Sequence, residues 1–299
     1  MRGAGGEPVD FRATLGSHGL ARLPPNTLAE ERSWLETTLP VNGGARRIVA
    51  REIRPGTLGV EILGRAPSAR TRDEIAAAVR TMFALVDDLS AFYALLENDD
   101  DLGYARRGVG RLLRAPTAFE EVARTICTTN CAWSGTIRMI TALVEGLGAY
   151  AGSGSKLGAA GHAFPSAQAV ADAPEKFFRD VARAGYRGAY LRKLGAMVAG
   201  GEVELEALRS APRSELSDDE LERQLLALPG VGPYAAAHVM LLFGRCSRLV
   251  LDSWTRPTYM ELVGKKKMTD KAIVRRFKRY GSDAGLAFWL FLWKNRHEA

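Results

Sequence analysis

Two glycines and one aspartate form the chemically most informative pattern in the sequence. Gly230 and Gly232 flank Val231 within Leu-Pro-Gly-Val-Gly-Pro, and Asp252 follows Gly232 by twenty residues. Glycines adopt turn conformations that uncover backbone N–H groups, and a helix beginning after the turn adds its positive end, so the turn predicts a phosphate site. A carboxylate beside such a site can stabilise developing positive charge or orient water.

Two helices must position this turn. Leu221, Leu225 and Leu228 lie at helical spacing and predict one apolar helix face that ends at Pro229. Pro233 suits the first position of a second helix, where its missing N–H costs nothing, and the alanines that follow allow close helix packing. Val231 is expected to point inward and hold the turn. The alternative interpretation is a helix–helix turn that binds no ligand.

This pattern resembles the helix-hairpin-helix (HhH-GPD) superfamily of DNA glycosylases, in which an essential aspartate follows the hairpin at this spacing. Residues 110–120 and 126–131 are similar to the first core helices of 3-methyladenine DNA glycosylase II and of 8-oxoguanine DNA glycosylase. Residues 184–191 and 281–289 resemble later helices of the same enzymes. The resemblance covers nearly the whole chain and places it in the bacterial branch grouped with 3-methyladenine glycosylase II.

The resemblance implies that Asp252 is the catalytic carboxylate. A helix N-cap before Ser253 is the alternative interpretation, and one residue can fill both roles. Bifunctional members carry a Schiff-base lysine two residues after the second hairpin glycine, whereas this sequence has Tyr234 there. Because a phenol cannot form an imine, we predict a monofunctional enzyme without AP lyase activity, which leaves an abasic site.

The resemblance also assigns the residues that bind DNA. Similarity to the 8-oxoguanine enzyme implies that Tyr186 wedges into the duplex, while Asn130 and Arg187 contact the orphaned partner base. Core packing is the alternative interpretation for Tyr186. The hairpin residues expected to bind the DNA phosphate are Leu228, Gly230, Val231, Gly232 and Tyr234.

The base pocket departs from that of the 8-oxoguanine enzyme, whose base-reading Gln and stacking Phe correspond here to Phe288 and Leu292. Aromatic faces suit cationic alkylated purines, so we expect a base of the 3-methyladenine type. The alternatives are another oxidised or enzymatically modified base, such as 8-oxoguanine or a modified cytosine, and a non-catalytic DNA-binding module. The expected pocket residues are Trp133, Trp254, Phe288 and Trp289.

The remaining patterns predict a mainly α fold with a small α+β N-terminal domain. Residues 47–53 and 58–63 read as antiparallel strands around a Pro55-Gly56 turn, and helical periodicity begins near residue 71. We therefore predict an N-terminal domain over residues 1–70. The helical glycosylase body is expected over residues 71–299, with the helix-hairpin-helix at about 218–243.

Charge favours a nucleic-acid partner. The formal net charge is +7, and from Arg245 onward thirteen basic residues face five acidic ones. Such a basic end predicts binding to double-stranded DNA. The run Lys265 to Lys267 is interpreted either as phosphate-binding or as solvated surface. No apolar stretch suggests a membrane span or secretion signal, so we expect a monomer in the cytoplasm, associated with the bacterial nucleoid.

The cysteines argue against a metal cofactor. Cys127 and Cys131 have no second pair or nearby histidine and are interpreted as small buried residues rather than zinc ligands. No cysteine follows Cys246, whereas the endonuclease III branch carries four after its catalytic aspartate, so no iron–sulfur cluster is expected. The one bound ion that the resemblance allows is a structural monovalent cation at the hairpin.

Overall fold

The structure, a computed structural model, describes residues 1–153 and 158–297, and side chains up to residue 294. Within these residues it contains α-helices and one antiparallel sheet, which confirms the predicted mainly α class with a small N-terminal sheet. The four strands pair in chain order. They are β1 (Thr27–Leu28), β2 (Trp34–Val41), β3 (Gly44–Arg54) and β4 (Thr57–Ile62).

The sheet is stabilised by one buried face. Helix α1 (Phe11–Leu15) precedes the sheet in the chain, and helix α2 (Ala69–Met82) follows it. Ile48 and Ala50 alternate with more exposed residues along β3 and pack in one cluster with Ile75 of α2. This cluster continues past residue 70, so α2 packs as part of the sheet region. The division at that residue remains a prediction.

The helical region holds the larger core. Its α-helices are α3 (Ser90–Leu95), α4 (Ala118–Thr128), α5 (Trp133–Leu147), α6 (Ala167–Asp172), α7 (Arg187–Ala199), α8 (Leu205–Ser210), α9 (Asp218–Leu226), α10 (Pro233–Leu242), α11 (Thr255–Leu262), α12 (Asp270–Phe277) and α13 (Ala284–His297). Helix α10 is central, because it packs against both α4 and α9. Its alanines at 235–237 are all buried, and their small side chains permit this close approach.

The N-terminal segment joins the two regions. Leu20 and Leu23 pack into the helical core, whereas Phe11 and Leu15 pack under the sheet. His18 lies within this segment and is buried. All three cysteines are free thiols. No helix in the described ranges has the length and apolarity that a membrane span requires.

Candidate active site

The predicted hairpin lies between α9 and α10. Gly230 adopts a φ of +79°, a left-handed conformation that favours glycine, and the N–H of Val231 donates to the Leu228 carbonyl at 3.2 Å. Gly232 precedes α10 in an extended conformation, and no side chain caps that helix in the described structure. Because first-turn amides have no partner within their own helix, the N–H groups after Gly232 remain available to an anion.

The hairpin side chains point away from any bound phosphate. Leu228 and Val231 are buried in the helical core, so they contribute to a phosphate site only through their backbone. Tyr234 is also turned inward, and its hydroxyl lies 3.2 Å from Thr128 Oγ1 and 3.3 Å from His238 Nδ1. Because the Tyr234 hydroxyl faces the protein interior, a phosphate contact of this residue would be made by its backbone N–H, and its assignment to the phosphate site stays a prediction.

Asp252 occupies the turn that begins α11. Its Oδ1 accepts hydrogen bonds from the N–H groups of Trp254 at 2.8 Å and Thr255 at 2.7 Å. Its own N–H donates to Thr255 Oγ1 at 2.8 Å. The aspartate side chain thus closes the turn that leads into α11, which begins at Thr255. Within the described residues, Oδ2 accepts no hydrogen bond, so one oxygen is held in place while the other is available for chemistry.

A cleft of about 720 Å³ brings the hairpin and Asp252 together. Its walls come from three parts of the chain: the end of α4 with the following turn, the start of α7, and the hairpin with the Asp252 turn. Asn130 and Tyr186 line the same cleft as Asp252. The structure therefore assembles the predicted catalytic group, part of the predicted wedge and the hairpin around one space.

The predicted wedge region is held together by Arg187. Tyr186 is 52% exposed, and its hydroxyl accepts a hydrogen bond from Asn130 Nδ2 at 3.3 Å. The buried Arg187 guanidinium donates to the carbonyls of Thr129 and Asn130, at 2.9 Å in each case. Most N–H groups of Arg187 thus hold the turn that carries Asn130, and its contact with an orphaned base stays a prediction.

The predicted base-pocket residues divide between surface and core. Trp254 is 39% exposed, and its ring centroid lies 6.0 Å from that of the buried Trp289. Trp133 is also exposed and lies over Gly19. Phe288 has no exposed surface and packs between Tyr259 and Phe277. Its prediction as a pocket residue is therefore corrected, because the side chain is part of the aromatic core.

Two histidines near Trp289 were missed by the sequence interpretation. The ring centroids of His238 and Trp289 lie 5.8 Å apart, and those of His18 and His238 lie 6.3 Å apart. Burial lowers the pKa of His18 to about 3 and that of His238 to about 4, so both are neutral near pH 7. The spacing of four residues from Tyr234 could have indicated His238, but no local signal indicates His18.

Arg256 also lines the cleft and was not predicted. Its guanidinium forms a two-point ion pair with Asp270, with both N–O distances 2.8 Å. Asp270 holds the pKa of Arg256 above its usual value, with Asp252 a smaller contributor. Among the side chains that the structure describes, no group of three His, Cys, Asp or Glu residues could hold a metal ion.

Comparisons with known proteins identify the fold. No family model matches the sequence, and a search of curated proteins finds no match. Solved structures do match. The 3-methyladenine DNA-glycosylase from Archaeoglobus fulgidus superposes with a TM-score of 0.74 and 18% identity, over 99% of this chain and 97% of that one.

A second match is the 8-oxoguanine glycosylase/lyase of Clostridium acetobutylicum, in complex with double-stranded DNA containing cytosine opposite 8-oxoguanine. Its TM-score is 0.69 at 21% identity, over 98% of this chain and 94% of that one. The chain therefore has the fold shared by these glycosylases, and the fold implied by the sequence resemblance is confirmed over nearly its whole length.

Proposed function

We propose that this chain is a monofunctional DNA glycosylase, which extrudes a damaged or modified base from double-stranded DNA and hydrolyses its N-glycosidic bond. The observation that carries the proposal is Asp252, whose Oδ1 is fixed by two backbone N–H groups, while Oδ2 has no hydrogen-bond partner among the described residues and lies in a cleft shared with the hairpin. The fold shared with DNA glycosylases supports the same conclusion.

The chemistry follows from this placement. Cleavage of the bond between base and C1′ transfers its electron pair to the base and leaves positive charge on the sugar. The Asp252 carboxylate stabilises that charge and accepts the proton of the attacking water, so that C1′ gains a hydroxyl group and the base leaves. The hairpin amides hold the DNA backbone through a phosphate. No cofactor enters these steps.

Tyr234 supports hydrolysis without strand cleavage. A lyase step needs an amine that forms an imine with C1′, and no lysine is among the residues that line the cleft. Burial raises the pKa of Tyr234, so its hydroxyl remains protonated near pH 7. The proposed product is therefore an abasic site in an intact strand.

Alkylated purines of the 3-methyladenine type are the first substrate candidates, because Trp133 and Trp254 present exposed aromatic faces suited to a cationic base. The match to an 8-oxoguanine glycosylase/lyase supports an oxidised base equally well as a second candidate. A modified cytosine is the remaining alternative base. A DNA-binding module without catalysis is the competing function, and Asp252 argues against it.

The proposed reaction is tested with Asp252→Asn. Methylated DNA and duplexes that contain hypoxanthine, 8-oxoguanine or 5-hydroxymethylcytosine are incubated with excess protein and then treated with alkali. We expect the wild type to release at least one base and Asp252→Asn to slow release at least about 100-fold while still binding DNA. Asp180→Asn, an exposed aspartate outside the cleft, is the matched control. No abasic product from any duplex would favour the binding module.

The monofunctional assignment has its own measurement. The wild-type reaction is run with sodium borohydride, which reduces an imine to a stable protein–DNA adduct. We expect no adduct, and strand breaks only after alkali. A trapped adduct, or cleavage without alkali, would overturn this part of the proposal while leaving base excision intact.

A further inference from the structure

Two buried histidine nitrogens have no hydrogen-bond partner. Among the buried side-chain atoms that the structure describes, His18 Nδ1 and His238 Nε2 make no hydrogen bond. Buried polar atoms are normally paired, because water is lost on burial and must be replaced by another partner. Two such atoms on neighbouring rings therefore indicate a site for a polar ligand.

The hydrogen bonds fix the tautomer of His18. Its Nε2 lies 2.7 Å from the Leu113 carbonyl, which can only accept, so Nε2 carries the proton. The ring is neutral because burial keeps its pKa low. The remaining nitrogen, Nδ1, is therefore a bare acceptor.

The tautomer of His238 follows from a chain of hydrogen bonds between hydroxyl groups. Thr128 Oγ1 donates its one proton to the Thr125 carbonyl at 2.7 Å. The Tyr234 hydroxyl, 3.2 Å away, therefore donates to Thr128 Oγ1. Its oxygen is left to accept from His238 Nδ1 at 3.3 Å. The proton of neutral His238 then resides on Nδ1, and Nε2 is a second bare acceptor.

Neither histidine lines the cleft, but His238 is separated from it by one aromatic ring. Tyr234 lines the cleft and contacts the His238 ring, with centroids 5.7 Å apart. Trp289 also contacts the His238 ring, and its indole N–H donates to the Ser17 carbonyl at 2.9 Å. The exposed Trp254 in turn contacts Trp289. Tyr234 on the cleft side, and Trp289 with Trp254 beside it, thus lie between the buried histidine rings and solvent, so these aromatic rings must move aside for a base to reach the two nitrogens.

We propose that His18 Nδ1 and His238 Nε2 together read an exocyclic amino group of the extruded base. This inference rests on the proposed glycosylase function and deepens it by naming the substrate class. The preferred substrates are amino bases, such as an alkylated adenine. Their keto counterparts are rejected.

The geometry and charge of the pair agree with one amino group. Two hydrogen bonds of about 3 Å that diverge from a single nitrogen span acceptors about 5 Å apart. Rings whose centroids are 6.3 Å apart can present lone pairs at that separation. A carbonyl oxygen at the same place would face the lone pairs of His18 Nδ1 and His238 Nε2, and neither nitrogen could donate a hydrogen bond to it. Since burial keeps both rings unprotonated, neither acquires a second N–H to relieve that repulsion.

Two matched pairs of bases test the selectivity. 3-Methyladenine and 3-methylhypoxanthine, released from methylated duplexes that contain adenine or hypoxanthine, differ at the 6-position by amino against keto, and neither carries a second exocyclic amino group. 5-Hydroxymethylcytosine and 5-hydroxymethyluracil, placed in synthetic duplexes, differ in the same way at the 4-position. We expect the amino member of at least one pair to be excised about 100-fold faster or more, and the responsive pair identifies a purine or a pyrimidine.

The variants are chosen to keep the structural hydrogen bond of each ring. His18→Gln retains a donor for the Leu113 carbonyl and removes the Nδ1 acceptor, whereas His238→Asn retains a donor for Tyr234 and removes Nε2. We expect either change to bring the amino and keto rates to within about tenfold of each other. His162→Gln, a histidine bonded to the Gly158 carbonyl elsewhere in the fold, should leave the ratio unchanged.

Folding is checked by binding to a duplex with a tetrahydrofuran abasic analogue, which has no base to read. Equal amino and keto rates in the wild type would overturn the inference and leave the proposed reaction standing. So would variants that slow both members equally, since this is the signature of a structural role. If wild-type protein binds the abasic duplex but releases no base from any substrate, the proposed function itself fails.

Discussion

At the residue scale, burial determines what the titratable side chains near the cleft can do. His18 and His238 are neutral because water is excluded from both rings. They can accept a hydrogen bond but do not carry charge at physiological pH. Asp252 differs, because it remains partly exposed and one of its oxygens is held by two amides. Environment rather than residue type therefore separates a carboxylate suited to catalysis from a pair suited to recognition.

The histidines predict a pH dependence of stability. An unfolded histidine titrates near pH 6.5, whereas burial lowers the pKa of His238 to about 4. Between these values only the unfolded chain takes up the proton, so the free energy of unfolding falls as pH decreases, by about 1.4 kcal/mol per pH unit. The contribution of His238 to stability is thus fully present above pH 6.5 and is lost on acidification.

The measurement is urea unfolding of wild type and His238→Asn at pH 7, 6 and 5. We expect the wild type to lose about 1.4 kcal/mol per pH unit more than the variant below pH 6.5. Burial raises the pKa of Glu120 to about 7, which gives a slope of opposite sign, but that contribution is common to both proteins and cancels in their difference. Parallel pH profiles would show that His238 is protonated in the folded state.

At the element scale, the two glycines of the hairpin have different roles. A Cβ at Gly230 would meet the Tyr190 side chain at 2.8 Å, and the backbone there has a positive φ. At Gly232 the backbone is extended and a Cβ would meet no atom within 4 Å. Gly230 is therefore required by the turn itself. Gly232 leaves an open surface beside the first-turn amides of α10.

We expect Gly230→Ala and Gly232→Ala to separate stability from DNA binding. Gly230→Ala should lower the free energy of unfolding by about 1–2 kcal/mol, because alanine is disfavoured in the left-handed region. Gly232→Ala should change stability by less than about 0.5 kcal/mol but weaken binding to an abasic-analogue duplex, since its methyl group occupies the approach to the amides. Urea unfolding and fluorescence anisotropy measure the two quantities. Unchanged affinity in Gly232→Ala would argue against a phosphate at the hairpin.

At the scale of the whole molecule, ion pairs redistribute the positive charge of the C-terminal part. Six of its thirteen basic side chains pair with acidic residues: Arg245, Arg248, Arg256, Arg276, Arg279 and Lys294. Six others are exposed and form no ion pair in the part of the chain that the structure describes: Lys265, Lys266, Lys267, Lys271, Arg275 and Lys278. The uncompensated charge is thus concentrated on α12 and the segment before it, next to α11.

This distribution predicts that Lys265, Lys266 and Lys267 contribute to the salt dependence of DNA binding. Replacing all three by Gln should reduce the slope of log affinity against log salt by about 0.9 for each phosphate that the protein no longer neutralises. The matched control replaces Arg51, Arg54 and Arg65, which are exposed in the sheet region, by Gln. Affinities are measured between about 50 and 200 mM salt, where neutralisation of about six phosphates would make binding roughly a thousandfold weaker at the higher concentration. Equal slopes in both triple variants would identify the lysine run as solvated surface.

The sequence alone determined the features that depend on neighbours along the chain. The turn at Pro55-Gly56 predicted β3 and β4, and two glycines followed by Pro233 predicted the hairpin between α9 and α10. The spacing between Gly232 and Asp252 could be recognised from the sequence because only twenty residues, α10 and the turn after it, separate them. Backbone conformation in such stretches is set largely by local residue preferences.

The tertiary structure alone decided which side chains meet across long separations. His18 and His238 are 220 residues apart, and only packing places their rings together. The assignment of Phe288 failed for a related reason. Residues 286–292 of α13 are all buried, so no periodicity separates its pocket side from its core side. The position of Asp252 could thus be anticipated from spacing, but which side chains surround the cleft beside it depends on how distant, uniformly apolar elements pack.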